Sequence, residues 1–79
     1  MRLDKYLKVS RLIKRRTVAN EACDAGRVLI NGKAARASAP VKAGDRITIQ
    51  FGGKDVDVEV LSVQETIRKE DAESMYRYI

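Results

Sequence analysis

Ala25-Gly26-Arg27-Val28-Leu29-Ile30-Asn31-Gly32-Lys33 is the stretch on which the fold turns. Before it, apolar residues recur at helical spacing. At Gly26, a natural left-handed stop, that period ends. Val28-Leu29-Ile30 is a short β-prone run, and Asn31-Gly32 is the strongest short hairpin-turn dipeptide, because both central residues of such a turn take positive φ. Lys33 to Arg36 reads as the returning strand.

Downstream, Pro40 and Gly44-Asp45 mark a loop and a tight turn. Ile47, Ile49 and Phe51 then alternate with polar residues, as a half-buried strand does. Beyond Gly52-Gly53-Lys54, Val56, Val58 and Val60 alternate with Asp55, Asp57 and Glu59, so these two strands are expected to pair as an antiparallel hairpin. The three acids lie side by side on one strand face and read as a solvated edge. Residues 64–79 form a short C-terminal tail with weak helical character around Glu70 to Tyr78. Met75, Tyr76 and Ile79 are its docking residues, and it is expected to be helical or to order on binding.

Upstream, Leu3, Tyr6, Leu7, Ser10 and Ile13 share one arc of a helix, while Lys5, Lys8, Arg11 and Arg15 fall on the opposite arc. Val9 and Leu12 break the pattern, so the helix is expected to end or bend near Leu12. Thr17 is placed to cap a second helix that Gly26 terminates. Val18, Ala19, Ala22, Cys23 and Ala25 make its apolar side, with Asn20, Glu21 and Asp24 opposite. Small side chains there would let the two helices pack closely. The fold class is α+β: two short N-terminal helices on a small antiparallel sheet, followed by the tail.

Charge is distributed as unevenly as structure. Residues 2–16 hold seven cations and one anion, whereas Asp45 onward carries eight acids against five bases. Clustered Lys and Arg on an ordered element suit a polyanion, since they neutralise phosphates and release condensed counterions. At 79 residues the chain is one small domain, burying only about 60% of its unfolded surface. One cysteine, Cys23, forbids an internal disulfide, and most simply it is a small buried hydrophobe. There is no membrane-spanning run, so the chain reads as soluble and cytoplasmic. No histidine is present, which removes the commonest general base and metal ligand. No phosphate-cradling glycine loop leads from a strand into a helix. The reading is a binder with no cofactor, not an enzyme.

Five segments in order carry a family resemblance: Arg2-Leu3-Asp4-Lys5-Tyr6-Leu7, Lys14-Arg15-Arg16-Thr17, the alanine-spaced second helix, residues 25–33, and Val41-Lys42-Ala43-Gly44-Asp45. Together they resemble the RNA-binding domain first named for small-subunit ribosomal protein four, whose helix pair and sheet form the alpha-L motif. The likeness runs from Met1 to about Phe51, making 1–63 the RNA-binding domain and 64–79 the tail. Standing free of a catalytic partner domain, the chain is similar to the ribosome-associated subgroup that includes the RqcP family and the heat-shock ribosome-recycling proteins. That resemblance implies binding to large ribosomal subunits obstructed by peptidyl-tRNA, contact with large-subunit rRNA and tRNA, and assistance to an RqcH-type factor in adding alanine tails to stalled chains. A monomer is expected, with no membrane partner.

The RNA-binding residues follow from the charge pattern and the matched motifs. A phosphate is expected at the N-terminus of the second helix, beside Lys14, Arg15, Arg16 and Thr17, where unpaired N–H groups and the helix dipole attract anions. Arg2, Lys5, Lys8 and Arg11 would extend the site along the first helix, Arg27 and Lys33 would close its far edge, and Asn20 would add a base-edge or ribose bond. Arginine suits this work because its planar fork grips phosphate with two bonds and stacks on an unpaired base. Two alternatives stand beside this reading. One is a DNA-binding helix-turn-helix, weakened because the second helix would present Glu21 and Asp24 to DNA. The other is a general rRNA- or tRNA-binding adaptor that uses the acidic sheet and tail for a protein partner.

Overall fold

The computed structural model describes residues 1–65 and 67–79. Its elements run α1 (Leu3–Val9), α2 (Arg16–Asp24), β1 (Val28–Ile30), β2 (Lys33–Ala34), β3 (Arg46–Phe51), β4 (Lys54–Val60), a 3-10 helix (Lys69–Met75) and β5 (Tyr76–Tyr78). This is the α+β arrangement the sequence suggests. The five strands form one antiparallel sheet in the order β2-β1-β3-β4-β5.

The first hairpin forms at the expected dipeptide, with Asn31 at φ 53° and Gly32 at φ 84°. Asn31 then ties the turn to the next strand. Its Nδ2 donates to Asp45 Oδ1 at 3.2 Å, and its Oδ1 accepts from the Arg46 N–H at 3.0 Å. The other Asp45 oxygen accepts from the Lys42 N–H at 3.0 Å, so this buried carboxylate is satisfied at both ends.

The β3–β4 register sets Ile47 opposite Val58 and Ile49 opposite Val56, with Arg46, Thr48 and Gln50 opposite Glu59, Asp57 and Asp55. Apolar cross-strand pairs therefore line the core side and polar pairs the open side. Below the sheet, Leu3, Tyr6 and Leu7 of α1 and Ala19 and Cys23 of α2 join Val28, Ile47, Ile49, Val58, Val60 and Met75 in the core, each at most 2% exposed. Each large aliphatic side chain buried this way stabilises the fold by about 1.5–3 kcal/mol.

Several expectations are corrected. Helix α1 stops at Val9, short of Leu12. Ser10 turns its hydroxyl back onto the Leu7 carbonyl, and Arg11 takes left-handed backbone at φ 64°. Ile13 is buried from the following loop and not from the helix. Thr17 is not the cap of α2: the helix begins at Arg16, Arg15 occupies the cap position in extended backbone, and no side chain caps it. Val18 is 48% exposed and Ala25 is exposed, so the buried side of α2 narrows to Ala19 and Cys23.

Asp55 is exposed on the part of β4 that β5 leaves uncovered, as a solvated edge residue is, but Asp57 and Glu59 do not mark an edge, because β5 pairs with Val58–Val60 and the Ile79 N–H donates to the Asp57 carbonyl. Alternation reveals which face a residue occupies, not how many strands lie beyond it. The segment read as weakly helical gives a 3-10 helix to Met75 and then turns extended, with Tyr76 opposite Val60 and Tyr78 opposite Val58. Met75 is fully buried and Tyr76 half-buried, whereas Ile79 is 59% exposed. The Tyr6 hydroxyl donates to the Met75 carbonyl at 2.8 Å, joining α1 to this last segment.

Candidate nucleic-acid interface

One acid organises the basic end. Asp4 lies in the first turn of α1 and is 2% exposed, where an uncompensated charge would cost several kcal/mol. It is compensated from four directions. Arg2 Nε stands 3.2 Å from Oδ1, Arg16 Nε 3.4 Å from Oδ2, and Asn20 Nδ2 donates to Oδ2 at 3.2 Å. The Lys5 backbone N–H donates to Oδ1 at 2.8 Å. Burial by itself would raise the Asp4 pKa, but hydrogen bonds from Asn20, Arg16 and Arg2 outweigh it and hold the carboxyl below its usual value.

The two guanidinium groups are therefore fixed at the base and open at the tip. Arg2 and Arg16 remain 51% and 47% exposed, each with donors beyond those aimed at Asp4. Local backbone sets their positions. Arg2 caps α1 in extended conformation and bridges to Pro40, while the Leu3 and Asp4 N–H groups donate to the carbonyls of Ala39 and Ala37. Arg16 opens α2, and its first turn has no side-chain cap. Donor N–H groups, the positive end of the helix and two arginines thus converge near one point, an arrangement that can hold an anion.

The other sequence-selected residues divide into groups. Asn20 belongs to the cluster, but its amide is committed to Asp4. Lys14, Arg15 and Thr17 are exposed around the start of α2. Lys5 is paired with Glu65, which it reaches across the chain, and that contact lowers the Glu65 pKa. Lys8 and Arg11 line a shallow depression with Val9, Glu65 and Ile67. Arg27 lines a different hollow, with Val18, Glu21, Ala22 and Ala25. Lys33 is exposed on the two-residue strand β2 at the border of the sheet. No described contact joins Arg27 or Lys33 to the Asp4 cluster.

Sequence reasoning missed Asp4 and Glu65 as parts of this surface. Asp4 had a readable signal: it is the lone acid among seven cations, and helical spacing sets it next to Leu7, toward the apolar arc. An acid there must find cations. Glu65 had no such signal, since sixty residues separate it from Lys5.

Comparison with known proteins gives concordant results. The family model described as S4 domain matches residues 1–47. The RQC P-site tRNA stabilizing factor of Halalkalibacterium halodurans is 58% identical over 76 residues, covering 96% of this chain and 86% of that protein. Its counterpart in Bacillus subtilis is also 58% identical over 76 residues, covering 96% and 88%. Among solved structures, Vibrio cholerae Heat Shock Protein 15 superposes with a TM-score of 0.92 at 30% identity, covering 100% of this chain and 81% of that one.

Proposed function

This chain belongs to the S4 domain family and, within it, to the family of RQC P-site tRNA stabilizing factors, and on that premise we propose that it is an RNA-binding factor of ribosome quality control. It binds large ribosomal subunits that still hold peptidyl-tRNA, contacting large-subunit rRNA and the tRNA. It acts in the cytoplasm as a monomer and assists an RqcH-type factor in adding C-terminal alanine tails to stalled chains. It contributes placement and no chemistry of its own.

The observation that carries this reading is the Asp4-anchored pair of arginines at the start of α2. Arg2 and Arg16 hold RNA phosphates; Lys14, Arg15 and Thr17 border that seat. Lys5, Lys8 and Arg11 extend the positive surface along α1, and Arg27 and Lys33 serve as outlying phosphate contacts. Asn20 acts through Asp4, a change from the base-edge role the sequence suggested. A DNA-reading role is disfavoured because α2 leaves Glu21 and Asp24 exposed and spends the Asn20 amide internally.

The test is recovery of the tagged protein from cells with stalled translation. Large subunits carrying peptidyl-tRNA should accompany it, and Arg16→Ala should lose them. Recovery with idle intact ribosomes or chromosomal DNA would refute the proposal. In vitro, affinity for large-subunit rRNA should fall by about 0.7–0.9 log units per log unit of salt for each phosphate neutralised.

A further inference from the structure

The depression beside α1 is lined by Lys8, Val9, Arg11, Glu65 and Ile67, and its volume is about 160 Å³. Sites for cofactors and drug-sized molecules run to about 300–1,000 Å³. This one has room for a single ring. Val9 and Ile67 are half-buried and packed against the core, so they supply an apolar floor. Lys8, Arg11 and Glu65 are exposed around it.

Two details separate this hollow from a plain basic surface. First, Glu65 brings a carboxylate to the rim, steadied by Lys5. That oxygen pair repels phosphate and accepts from an amino group. Second, Arg11 occupies left-handed backbone at φ 64°, just past the end of α1, with its N–H donating to the Lys8 carbonyl at 3.1 Å. Glycine is the residue that fits such a helix end without strain, whereas a side chain there costs about 1 kcal/mol. A cation near a helix C-terminus recovers part of that cost, yet lysine would do so equally. A guanidinium adds a flat face.

We propose that this depression receives one unstacked RNA base bearing an exocyclic amino group, with the base on Val9 and Ile67, the Arg11 guanidinium stacked on it, its amine donating to Glu65, and an adjoining phosphate at Lys8. The assignment depends on the RNA-binding reading above and adds base selectivity to it. Stacked bases and carboxylate-bound amines follow known physical preferences.

The test compares cytidine and uridine homopolymer hexamers, equal in charge, in equilibrium binding to the full chain. Wild type should favour cytidine by about fivefold, as an exposed amine-to-carboxylate bond allows. Glu65→Ala should erase that preference. Arg11→Lys should weaken cytidine binding about fivefold with an unchanged salt slope, since charge is kept and only stacking is lost. Arg11→Gly should melt at a higher temperature than wild type while binding the cytidine hexamer less well. Equal affinity for the two hexamers, no binding of either, or an Arg11→Lys variant with wild-type affinity would overturn the assignment. Parallel titration with large-subunit rRNA separates the two readings: rRNA bound without base preference refutes the base site alone, and failure to bind any RNA refutes both.

Discussion

Replacing Asp4 by Asn separates charge from position. The substitution raises the net charge of +5 by one, so charge alone predicts tighter binding to RNA. The structure predicts the reverse. Arg2 and Arg16 are held at 3.2 and 3.4 Å by a carboxylate that is ordered before RNA arrives. Without it, each arginine must be immobilised on binding, at about 0.5–1.5 kcal/mol per side chain. For the pair this gives about 1–3 kcal/mol, a loss of roughly fivefold to a hundredfold in affinity.

Stability should fall as well. Each arginine is about half exposed, so its ion pair contributes only about 0.2–1 kcal/mol. The Lys5 N–H and Asn20 bonds weaken because Asn keeps one acceptor oxygen of the two. A total near 2 kcal/mol lowers the melting temperature of a domain this size by roughly 10 °C. Fluorescence anisotropy with an rRNA fragment, at fixed salt and well below the melting point, reads the first effect; calorimetry reads the second. If Asp4→Asn binds RNA as tightly as wild type or more so, prearrangement of the arginines is not what Asp4 provides.

Three other expectations follow from the same contacts. Leu7→Ala, at a fully buried site, should destabilise by about 2–5 kcal/mol, seen in urea unfolding, while RNA affinity of the folded fraction stays close to wild type. Tyr6→Phe removes the hydroxyl bond to Met75, but that carbonyl still accepts from the N–H groups of Leu61 and Ser62 at 2.8 and 3.2 Å. The loss should be about 1 kcal/mol, with faster amide exchange at Ile79 as its signature and no change there refuting the coupling. The third concerns acid: because Asp4 has a lowered pKa in the folded protein, its stabilising contribution is present above the unfolded value of about 3.9 and lost as pH falls through the folded one. Unfolding free energies between about pH 6 and 2 should drop more steeply for wild type than for Asp4→Asn, and parallel curves would count against the linkage.

What the sequence revealed was local. Asn31-Gly32 names its own turn, and the two alternating runs declare their pairing, since each rests on residues within about ten positions. Helix ends were less legible. Thr17 suggests a cap because hydroxyl residues usually take that place, yet Arg15 holds the position in extended backbone and Arg16, the first helical residue, is engaged with Asp4. In the tail, the helical character is legible and forms the 3-10 helix with Met75 docked, but strand β5 is not, because three residues show little strand periodicity and its place beside β4 depends on partners far away in sequence. The candidate site followed the same rule. Basic residues were visible by composition, but which of them meet was not, and Asp4 appeared only as a minor offset to the surrounding charge.

The hydroxyl bond between Tyr6 and Met75 spans 69 positions, and it bears on when this molecule can fold. Local contacts such as the β3–β4 hairpin can form as soon as their residues emerge from the ribosome. The Met75 side of the core cannot. During synthesis α1 can pack on α2, β1 and β3, but the Tyr6 hydroxyl must wait for the Met75 carbonyl until nearly the whole chain has been made. A product interrupted before Met75 would present the arginine cluster on a scaffold with one wall of its core absent, and would be a substrate for proteolysis before it could compete for RNA.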